Sequence, residues 1–483
     1  MGKAKFGIFG DGKEIAQLAM AKAFRNGDIR SGYYRDQTFM LAIGELTLEQ
    51  FFAQLYAHTD VNADPATAGR MMNGHFATRM LDENGKWKNL TDLKNSSADV
   101  SPTAAQMPRL VGLGYASKLY RNNPELHQFN QFSEQGNEIA FGTIGNASTA
   151  EGMFFEAINA AGVLQIPVLV SVWDDHYGIS VPNEYQVTKG DISKILSGFQ
   201  RTEHEKGFAI FRAKGWDYYN LCKVYQKAAQ ICREEHVPVL LHVLEMTQPQ
   251  GHSTSGSHER YKSKERLAWE EEFDCIVKTR EWILKNEVAT VEELEAIENQ
   301  AKNTARTARN TAWQAFVDTM KPDYNDALQL ITQAASQSQE PQKIQEIAEE
   351  LSKTLNPLRQ DAIKAVKKTL RLLRNENIAS KTDLVDWVRQ VMSKNFDNYS
   401  SHLHSQSNES ALLVQEIKPM YDENPLLIDG REVMKACFDA LFERNPLVVA
   451  IGEDVGKIGD VNQAFAGLQE KYGELRITDT GIR

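Results

Sequence analysis

The stretch GNASTAEGMFFEAINAAGVLQIPVLVSVWDDHYGIS, residues 145–180, decides the fold of this chain. It follows the apolar run EIAFGTI, continues into a helical pattern and leads to a second apolar run, IPVLVSVW. Both runs are apolar on both faces, so we predict two parallel strands that are covered by helices on each side. Asn146 stands at the end of the first strand, and Asp174 and Asp175 stand at the end of the second. Because ligands of such sheets bind at the carboxyl ends of the strands, we expect these side chains to converge there.

The same alternation extends over much of the chain, from about residue 2 to residue 249. The apolar runs GFAIFRA and VPVLLHVLEM flank DYYNLCKVYQKAAQICREE, which has the period of a helix. Strands that alternate with helices are typical of βαβ units. We therefore predict an α/β fold in which helices cover a parallel sheet.

Length and composition limit the function classes. With 483 residues, the chain is long enough for about two to four domains of roughly 100–200 residues each. The formal net charge of −11 argues against a nucleic-acid binder. The four cysteines have neither paired nor histidine-clustered spacing, so the sequence predicts no zinc site and no disulfide framework. Because the sequence also lacks an apolar run of signal-peptide or membrane-span length, we predict a cytoplasmic protein without a membrane partner.

Three segments of the chain differ in character. Residues 1–273 carry the alternating pattern. Residues 274–425 are charged and helix-favouring and include the polar stretch NYSSHLHSQSNESALL, so we predict a helical extension and a linker. Residues 426–483 contain the amphipathic pattern DGREVMKACFDALFERNP and the apolar run LVVAIGEDVG, which predicts a buried strand. We interpret this last segment as the incomplete beginning of a second α/β domain.

The residue types at the two strand ends suit a metal-bound diphosphate. An amide oxygen, a carboxylate and a backbone carbonyl are ligands that Mg²⁺ accepts, and diphosphate oxygens complete its octahedron. Ser148 and Glu151 have the spacing of a capping box, which predicts a helix N-terminus that favours a diphosphate. The alternative is that Asn146 is a turn residue and that Asp174 and Asp175 form a solvated strand end. Spacing alone leaves both interpretations open.

The segment also resembles the thiamine-diphosphate motif, which begins Gly-Asp-Gly or Gly-Glu-Gly and ends in Asn-Asn. Here the motif runs from Gly145-Asn146-Ala147 to Asp174-Asp175. The neighbouring stretches EGMFFEAIN and HYGISVP resemble the α-part of the 2-oxo acid dehydrogenases, the decarboxylating components of the branched-chain and pyruvate dehydrogenase complexes. This resemblance implies a thiamine-diphosphate-binding fold, with thiamine diphosphate and Mg²⁺ as cofactors.

The metal ligands implied by the resemblance are Asn146, Asp175 and the backbone carbonyl of Tyr177. The acid and the amide of the family pattern have exchanged places in this chain, so that one carboxylate and one amide remain. Asp174 is expected to lie behind the ligands rather than among them.

Several other stretches resemble cofactor-binding segments of the family. GYYRDQT matches a Tyr-Arg pair that grips the diphosphate, a role that suits an arginine by charge and geometry. SPTAAQMPRLVGLGYASKLY matches a stretch that lines the cofactor rings, and TKGD stands near the place of an arginine that faces the diphosphate. The implied cofactor-binding residues are Tyr34, Arg35, Ser101, Thr103, Gly145, Ala147 and Lys189.

The stretch GHSTSGSHERY resembles the family's active-site loop, in which a histidine acts in acyl transfer to lipoate. The resemblance gives this catalytic role to His252, although a lone histidine in a polar loop is ordinarily only solvated. Ser253 matches a serine that animal relatives phosphorylate. Glu156 and Glu453 match two glutamates of a buried acidic path between paired active sites, and the resemblance makes them catalytic as well.

A second Gly-Asp-Gly sequence, in GDGKE at residues 10–14, lacks an acid or amide pair at the family distance. We interpret it as a capping loop ahead of the helix EIAQLAMAKAF. The family's glutamate that bonds the aminopyrimidine ring would follow Arg483. We therefore expect half of the cofactor cleft to be missing and the chain as given to be incomplete for turnover.

The resemblance as a whole predicts the fused α- and β-parts of a 2-oxo acid dehydrogenase. The implied reaction is oxidative decarboxylation of a 2-oxo acid, preferably a branched-chain one such as 3-methyl-2-oxobutanoate. The acyl group would pass to the lipoyl group of a partner acyltransferase, and the implied assembly is a homodimer of fused chains. The alternatives are a pyruvate or acetoin dehydrogenase component, a transketolase-like thiamine enzyme and a non-catalytic fragment.

Overall fold

The computed structural model describes residues 4, 6–253, 258–405, 407–408 and 410–482. Residues 254–257 of the predicted active-site loop and the terminal Arg483 lie outside the described residues. The strands are β1 Ile29–Ser31, β2 Asn95–Ser96, β3 Ala140–Gly145, β4 Val168–Trp173, β5 Tyr177–Gly178, β6 Val181–Pro182, β7 Ala209–Lys214, β8 Val239–Leu244, β9 Ala450–Gly452 and β10 Ile477–Asp479.

The α-helices cover both the predicted α/β region and the predicted helical extension. They are α1 Glu14–Ala23, α2 Gln37–Ala42, α3 Leu48–Leu55, α4 Gln106–Asn122, α5 Gly152–Leu164, α6 Ile192–Ile195, α7 Tyr218–Glu235, α8 Lys264–Glu272, α9 Cys275–Lys285, α10 Val291–Asp318, α11 Lys321–Gln337, α12 Pro341–Ser352, α13 Arg359–Leu372, α14 Ala379–Ser400, α15 Gly430–Arg444 and α16 Leu468–Tyr472. Among the described residues, every helix is too short or too polar to span a lipid bilayer.

Six of the strands form one parallel sheet in the order β2-β1-β3-β4-β8-β7. The chain passes from β3 through α5 to β4, and from β7 through α7 to β8, which confirms the predicted α/β fold. In the centre of the sheet Trp173 pairs with Gly145 on one side and with Val243 on the other. The carboxyl ends of β3, β4 and β8 therefore lie side by side.

The burial predicted for β3 and β4 is confirmed. Every residue of β4 is buried, and so is every residue of β3 before Gly145. Leu110 of α4 and Phe154 of α5 belong to the same apolar core as these strands. Leu110 packs directly against the backbone of Gly142, because a Cβ at this position would lie 2.3 Å from Leu110 Cδ2.

The chain divides into two compact units that are not consecutive in sequence. One contains Met1–Ile8, Leu46–His75 and Leu284–Ser410, and the other contains Phe9–Glu45, Phe76–Ile283 and Ala411–Arg483. The first unit contains α3 and α10 to α14, and it has its own core around Ile331, Val366 and Leu384. The predicted limits at residues 273 and 425 stay a prediction.

The predicted capping box ahead of α5 is wrong. Ser148 lies inside a short 3₁₀ helix, Ala147–Ala150, and its backbone carbonyl accepts a hydrogen bond from the Glu151 amide at 3.2 Å. Glu151 itself is the N-cap residue and its side chain makes no capping bond. The extra turn has shifted the start of the helix past the serine.

The strand predicted in LVVAIGEDVG is formed, but it is not buried. Ile451 of β9 is exposed, and Ala450 and Gly452 are half-buried. β9 pairs with β10 in a two-stranded parallel sheet. A sheet of two strands has two open edges, so it cannot surround either strand with neighbours as the six-stranded sheet does.

Candidate functional site

A cavity of about 330 Å³ opens at the carboxyl ends of β3 and β4. It contains nine of the predicted site residues, which are Tyr34, Arg35, Thr103, Gly145, Asn146, Ala147, Asp175, Tyr177 and His252. The other residues that line it are Lys13, Tyr33, Ser148, Trp173, Gly178, Ile179, Gln186, Gln248, Tyr261 and Lys262. All of these belong to the compact unit that contains the parallel sheet.

A chain of hydrogen bonds fixes the orientation of the Asn146 side chain. Asn183 Nδ2 donates to both carboxylate oxygens of Asp174, at 3.1 and 3.3 Å. Because an ionised carboxylate only accepts, Asn183 must turn its NH₂ toward Asp174 and its oxygen toward Asn146. Asn146 Nδ2 donates to that oxygen at 2.7 Å. The Asn146 amide oxygen therefore points away from Asn183 and can act as an acceptor at the cavity.

Asp174 supports this chain from a buried position. Its carboxylate accepts hydrogen bonds from the His176 amide at 2.8 Å and contacts His242 Nε2 at 3.0 Å. His242 is itself buried between Asp174 and Ser193, whose hydroxyl lies 3.0 Å from His242 Nδ1. Asp174 is absent from the lining of the cavity, as expected for a residue behind the ligands.

Asp175 presents its carboxylate to the cavity. Asp175 Oδ1 accepts a hydrogen bond from the Tyr177 amide at 3.1 Å, and Oδ2 accepts one from Lys13 Nζ at 2.9 Å. Burial by itself would raise the pKa of Asp175, but the positive charges of Lys13 and Arg35 outweigh it and lower that pKa below its ordinary value. Arg266 donates to the Asp175 backbone carbonyl at 3.0 Å, which anchors the turn after β4.

Lys13 is a site residue that the sequence analysis missed. Its ammonium donates to Asp175 Oδ2, to the Thr247 carbonyl at 3.0 Å and to Gln248 Oε1 at 2.7 Å. Three acceptor oxygens require three N–H groups, so the geometry fits the charged form. Gly12 has a φ of +80°, and a Cβ there would lie 2.4 Å from the Thr247 carbonyl oxygen. Through Lys13, GDGKE therefore contributes to the cavity wall and is more than the capping loop that we expected.

A signal for Lys13 was present in the sequence. Lys13 is the N-cap residue of α1 and makes no side-chain capping bond. A positive charge at a helix N-terminus is disfavoured by the helix dipole, so a lysine in that place needs another partner. Tyr261 ends the stretch GHSTSGSHERY but was not singled out in it, and Gln248 and Lys262 belong to no recognisable motif, so only the fold brings them to the cavity.

Arg35 and His252 form a direct pair on another wall of the cavity. Arg35 Nη2 lies 3.0 Å from His252 Nδ1 and donates to the His252 carbonyl at 2.9 Å. A guanidinium only donates, so Nδ1 must be the acceptor and the neutral imidazole carries its proton on Nε2. Burial and the positive charge of Arg35 lower the pKa of His252 to about 4. His252 is thus neutral near pH 7 and holds one defined proton.

The segment with Tyr34 and Arg35 is held by a buried ion-pair network. Arg30 contacts Asp36 Oδ2 at 2.6 Å and Asp99 Oδ2 at 3.0 Å, and all three side chains are buried. Asp36 Oδ2 also accepts hydrogen bonds from the Thr143 hydroxyl at 2.6 Å and from the Tyr33 amide at 3.3 Å. The network connects the GYYRDQT turn to β1 and β3, and so it sets the position of Arg35.

The charges of the lining suit an anionic ligand. Lys13, Arg35 and Lys262 are cationic, and Asp175 is anionic. Lys13 is paired with Asp175, and Lys262 is paired with Glu270 at 2.7 Å. Arg35 bonds to neutral acceptors, which include the Phe9 carbonyl at 2.6 Å. The positive charge of Arg35 is therefore left for a ligand such as a diphosphate.

A metal ion at this site would depend on the ligand for most of its charge. Within the described ranges there is no group of three or more His, Cys, Asp or Glu side chains that could hold a metal ion. The donor types at Asn146, Asp175 and the Tyr177 carbonyl suit Mg²⁺, with diphosphate oxygens as further ligands. The residues thus fit a metal–diphosphate unit, with Lys13 already bonded to the single carboxylate.

The remaining predicted site residues lie outside the cavity. Ser101 and Lys189 are exposed, and Lys189 adopts a left-handed conformation with a φ of 63°. Glu156 on α5 and Glu453 after β9 are exposed as well, so this structure does not place them in a buried path. The roles implied for these four residues stay predictions.

Comparison with known proteins gives a consistent family. The profile of the family described as "Dehydrogenase E1 component" matches residues 1–319. The 2-oxoisovalerate dehydrogenase subunit alpha of Bacillus subtilis is 27% identical over 325 residues, which are 66% of this chain and 87% of that protein. The mitochondrial 2-oxoisovalerate dehydrogenase subunit alpha of Dictyostelium discoideum is 27% identical over 67% of this chain and 64% of its own length. The pyruvate dehydrogenase E1 component subunit alpha of Rickettsia typhi is 30% identical over 42% of this chain and 56% of its own length.

Proposed function

The chain belongs to the dehydrogenase E1 component family of thiamine-diphosphate-dependent 2-oxo acid dehydrogenases, and we propose that it acts in the oxidative decarboxylation of a branched-chain 2-oxo acid. The acyl group then passes to the lipoyl group of a partner acyltransferase. The observation that carries the proposal is the single cavity that combines Arg35, Asn146, Asp175 and His252 at the carboxyl ends of β3 and β4.

The cofactor proposed for this cavity is thiamine diphosphate with Mg²⁺. Arg35 would hold the diphosphate through its guanidinium, and Gly145 and Ala147 would line the same side of the cofactor. Asn146, Asp175 and the Tyr177 carbonyl would hold the metal. When bound, thiamine diphosphate supplies the electron sink for the loss of carbon dioxide from a 2-oxo acid.

His252 is proposed to hold a proton at a defined atom of the site. Arg35 occupies Nδ1, so the Nε2–H group is the part of the ring that can donate. A neutral histidine that donates one proton suits acid assistance to the acyl transfer, and the hydrogen bond from Arg35 to the His252 carbonyl keeps the ring in place. The ring of Tyr34 lies edge-on to that of His252, with 6.5 Å between the ring centroids.

The names of the relatives support the branched-chain substrate. The two relatives that align over about two thirds of this chain are named 2-oxoisovalerate dehydrogenase, whereas the pyruvate dehydrogenase relative aligns over 42% of it. We propose a lipoyl-bearing acyltransferase as the partner and a homodimer of fused chains as the assembly. Pyruvate remains the second candidate substrate because that relative is 30% identical in the aligned part.

The substrate proposal is tested in the natural enzyme that contains this chain. Carbon dioxide released from labelled 3-methyl-2-oxobutanoate and from labelled pyruvate is measured with an artificial electron acceptor, with and without thiamine diphosphate. We expect a higher kcat/KM for 3-methyl-2-oxobutanoate and a requirement for the cofactor. A higher kcat/KM for pyruvate contradicts the substrate, and release that does not need the cofactor contradicts the reaction.

A further inference from the structure

The Lys13 ammonium is held by three oxygen atoms at the wall of the proposed cofactor cavity. Its three oxygen partners are a carboxylate, a backbone carbonyl and an amide oxygen, which are the donor types that also suit Mg²⁺. The Lys13 side chain is 2% exposed and the Asp175 side chain is 13% exposed, so solvent does not separate the pair. The Asp175 carboxylate is the group that the lysine and the metal would share.

The backbone around Lys13 is built for this contact. Gly12 approaches the Thr247 carbonyl so closely that no side chain fits between the two segments. Lys13 starts the ten-residue helix α1, whose N-terminal dipole has the same sign as the ammonium. The position costs stability unless an anion lies nearby, and Asp175 supplies one. The lysine is therefore a fixed component of the cavity rather than a passing surface contact.

The ion pair between Lys13 and Asp175 changes the net charge that the site presents to a metal ion and to a diphosphate. Asn146 and the Tyr177 carbonyl are neutral donors, so Asp175 is the only charge that the proposed metal ligands contribute. With Lys13 bonded to it, that charge is neutralised before a metal arrives. A diphosphate, by contrast, meets a neutral pair and the positive charge of Arg35. The cavity in this form favours the anion more than the metal.

We propose that Lys13 is a built-in cation of the diphosphate site, which competes with Mg²⁺ for Asp175 and makes thiamine diphosphate binding only weakly dependent on the metal. This inference rests on the proposed cofactor. In a chain without the lysine charge, the bare Asp175 carboxylate would repel the diphosphate until a divalent ion bridged the two. Lys13 thus performs part of the neutralisation that a metal would otherwise perform.

The test is the dissociation constant of thiamine diphosphate, measured by equilibrium dialysis in EDTA and in saturating Mg²⁺. For the unchanged chain we expect the two constants to differ by less than about tenfold. For Lys13→Met we expect them to differ by more than about a hundredfold, because the uncompensated carboxylate then needs the metal. Lys22→Met is the matched control, since Lys22 lies exposed in the last turn of the same helix.

The outcomes separate this inference from the proposed function. If the unchanged chain binds thiamine diphosphate in Mg²⁺ but not in EDTA, the role of Lys13 is overturned and the cofactor proposal stays intact. An unaltered metal dependence in a folded Lys13→Met chain overturns it as well. Failure of the unchanged chain to bind the cofactor in either condition overturns the proposed function and this inference together. The measurement on the unchanged chain decides the matter even where Lys13→Met does not fold.

Discussion

At the scale of single residues, His252 has one assigned proton and one assigned partner. Its Nδ1 accepts from Arg35, and its pKa is lowered to about 4, so the ring changes neither charge nor tautomer between pH 6 and 8. The sequence could identify His252 only through a resemblance, because a histidine in a polar loop is uninformative by itself. Its protonation state follows from the arginine, which lies far away in the sequence.

Replacing His252 should separate two steps of the proposed reaction. In the natural enzyme, His252→Ala is expected to slow reductive acylation of a lipoyl domain by about 10²–10⁴-fold, because proton assistance to acyl transfer is lost. Decarboxylation measured with an artificial electron acceptor should change much less. His204→Ala, in an exposed turn, is the control. Equal losses in both assays would show that His252 supports the site only structurally.

The orientation of Asn146 depends on a residue that has no contact with the proposed metal. Asn183→Ala removes the acceptor that holds the Asn146 amide and also removes one of the donors to Asp174, which keeps the His176 amide. We expect the affinity for thiamine diphosphate in Mg²⁺ to fall by about tenfold, which corresponds to about 1.4 kcal/mol. Calorimetric titration measures the change, with the exposed Asn122→Ala as control. Undiminished affinity would show that the orientation of Asn146 does not matter.

At the residue scale, the sequence pointed to residues that line one cavity where a motif was continuous in the chain, and their roles stay predictions. Asn146 and Asp175 were found because a strand, a helix and a strand separate them by a regular distance. Lys13 was missed because its partners follow β4 and β8, and no local pattern records a contact over such a sequence separation. Only its unfavourable position at the start of α1 could have drawn attention to it.

At the scale of elements, the apolar runs predicted the strands well because burial on both faces requires uninterrupted apolar sequence. The same runs could not predict the sheet order, which places β8 between β4 and β7. The capping box failed for a different reason. The spacing of Ser148 and Glu151 is equally compatible with a short 3₁₀ turn, and the turn formed instead.

The turn that carries Arg35 should depend on the buried charge of Arg30. Arg30→Met leaves Asp36 and Asp99 as buried carboxylates without their cation. We expect the free energy of unfolding to fall by about 3–5 kcal/mol, because an uncompensated buried charge costs more than a lost surface contact. Urea unfolding at pH 7 measures this, with the exposed Arg25→Met as control. A loss below about 1 kcal/mol would contradict the assignment of the network as a buried support.

At the scale of the whole molecule, the two compact units could not be predicted from composition. The helical unit includes Leu46–His75, which lies within the predicted α/β part of the sequence. Within this unit, Tyr56 at the end of α3 packs against Trp313 of α10. Composition predicts a helical extension and linker over residues 274–425, but it cannot reveal that the earlier segment Leu46–His75 belongs to the same compact unit. The packing of α3 against α10 depends on how the surfaces of the two helices fit together, and neither helix sequence alone reveals that fit.

The stability of the folded chain should decrease in mild acid. Burial lowers the pKa of His236 from 6.5 to about 4, and its Nδ1 is buried without a hydrogen-bond partner among the described residues. Between these values the unfolded chain binds the proton more readily than the folded chain, so the free energy of unfolding should fall as the pH falls. His236→Asn should flatten this slope in urea unfolding, and His204→Asn should not. An unchanged slope in His236→Asn would contradict the shift.

The central claim is that the cavity at the ends of β3 and β4 binds thiamine diphosphate through Arg35. The most direct measurement is calorimetric titration of thiamine diphosphate into the chain in Mg²⁺, repeated with Arg35→Gln and with the exposed control Arg25→Gln. We predict one binding site per chain, unchanged in the control and weakened by at least about tenfold in Arg35→Gln, because a charged hydrogen bond to the diphosphate is lost. Absence of binding to the unchanged chain, or equal affinity in Arg35→Gln, would contradict the account.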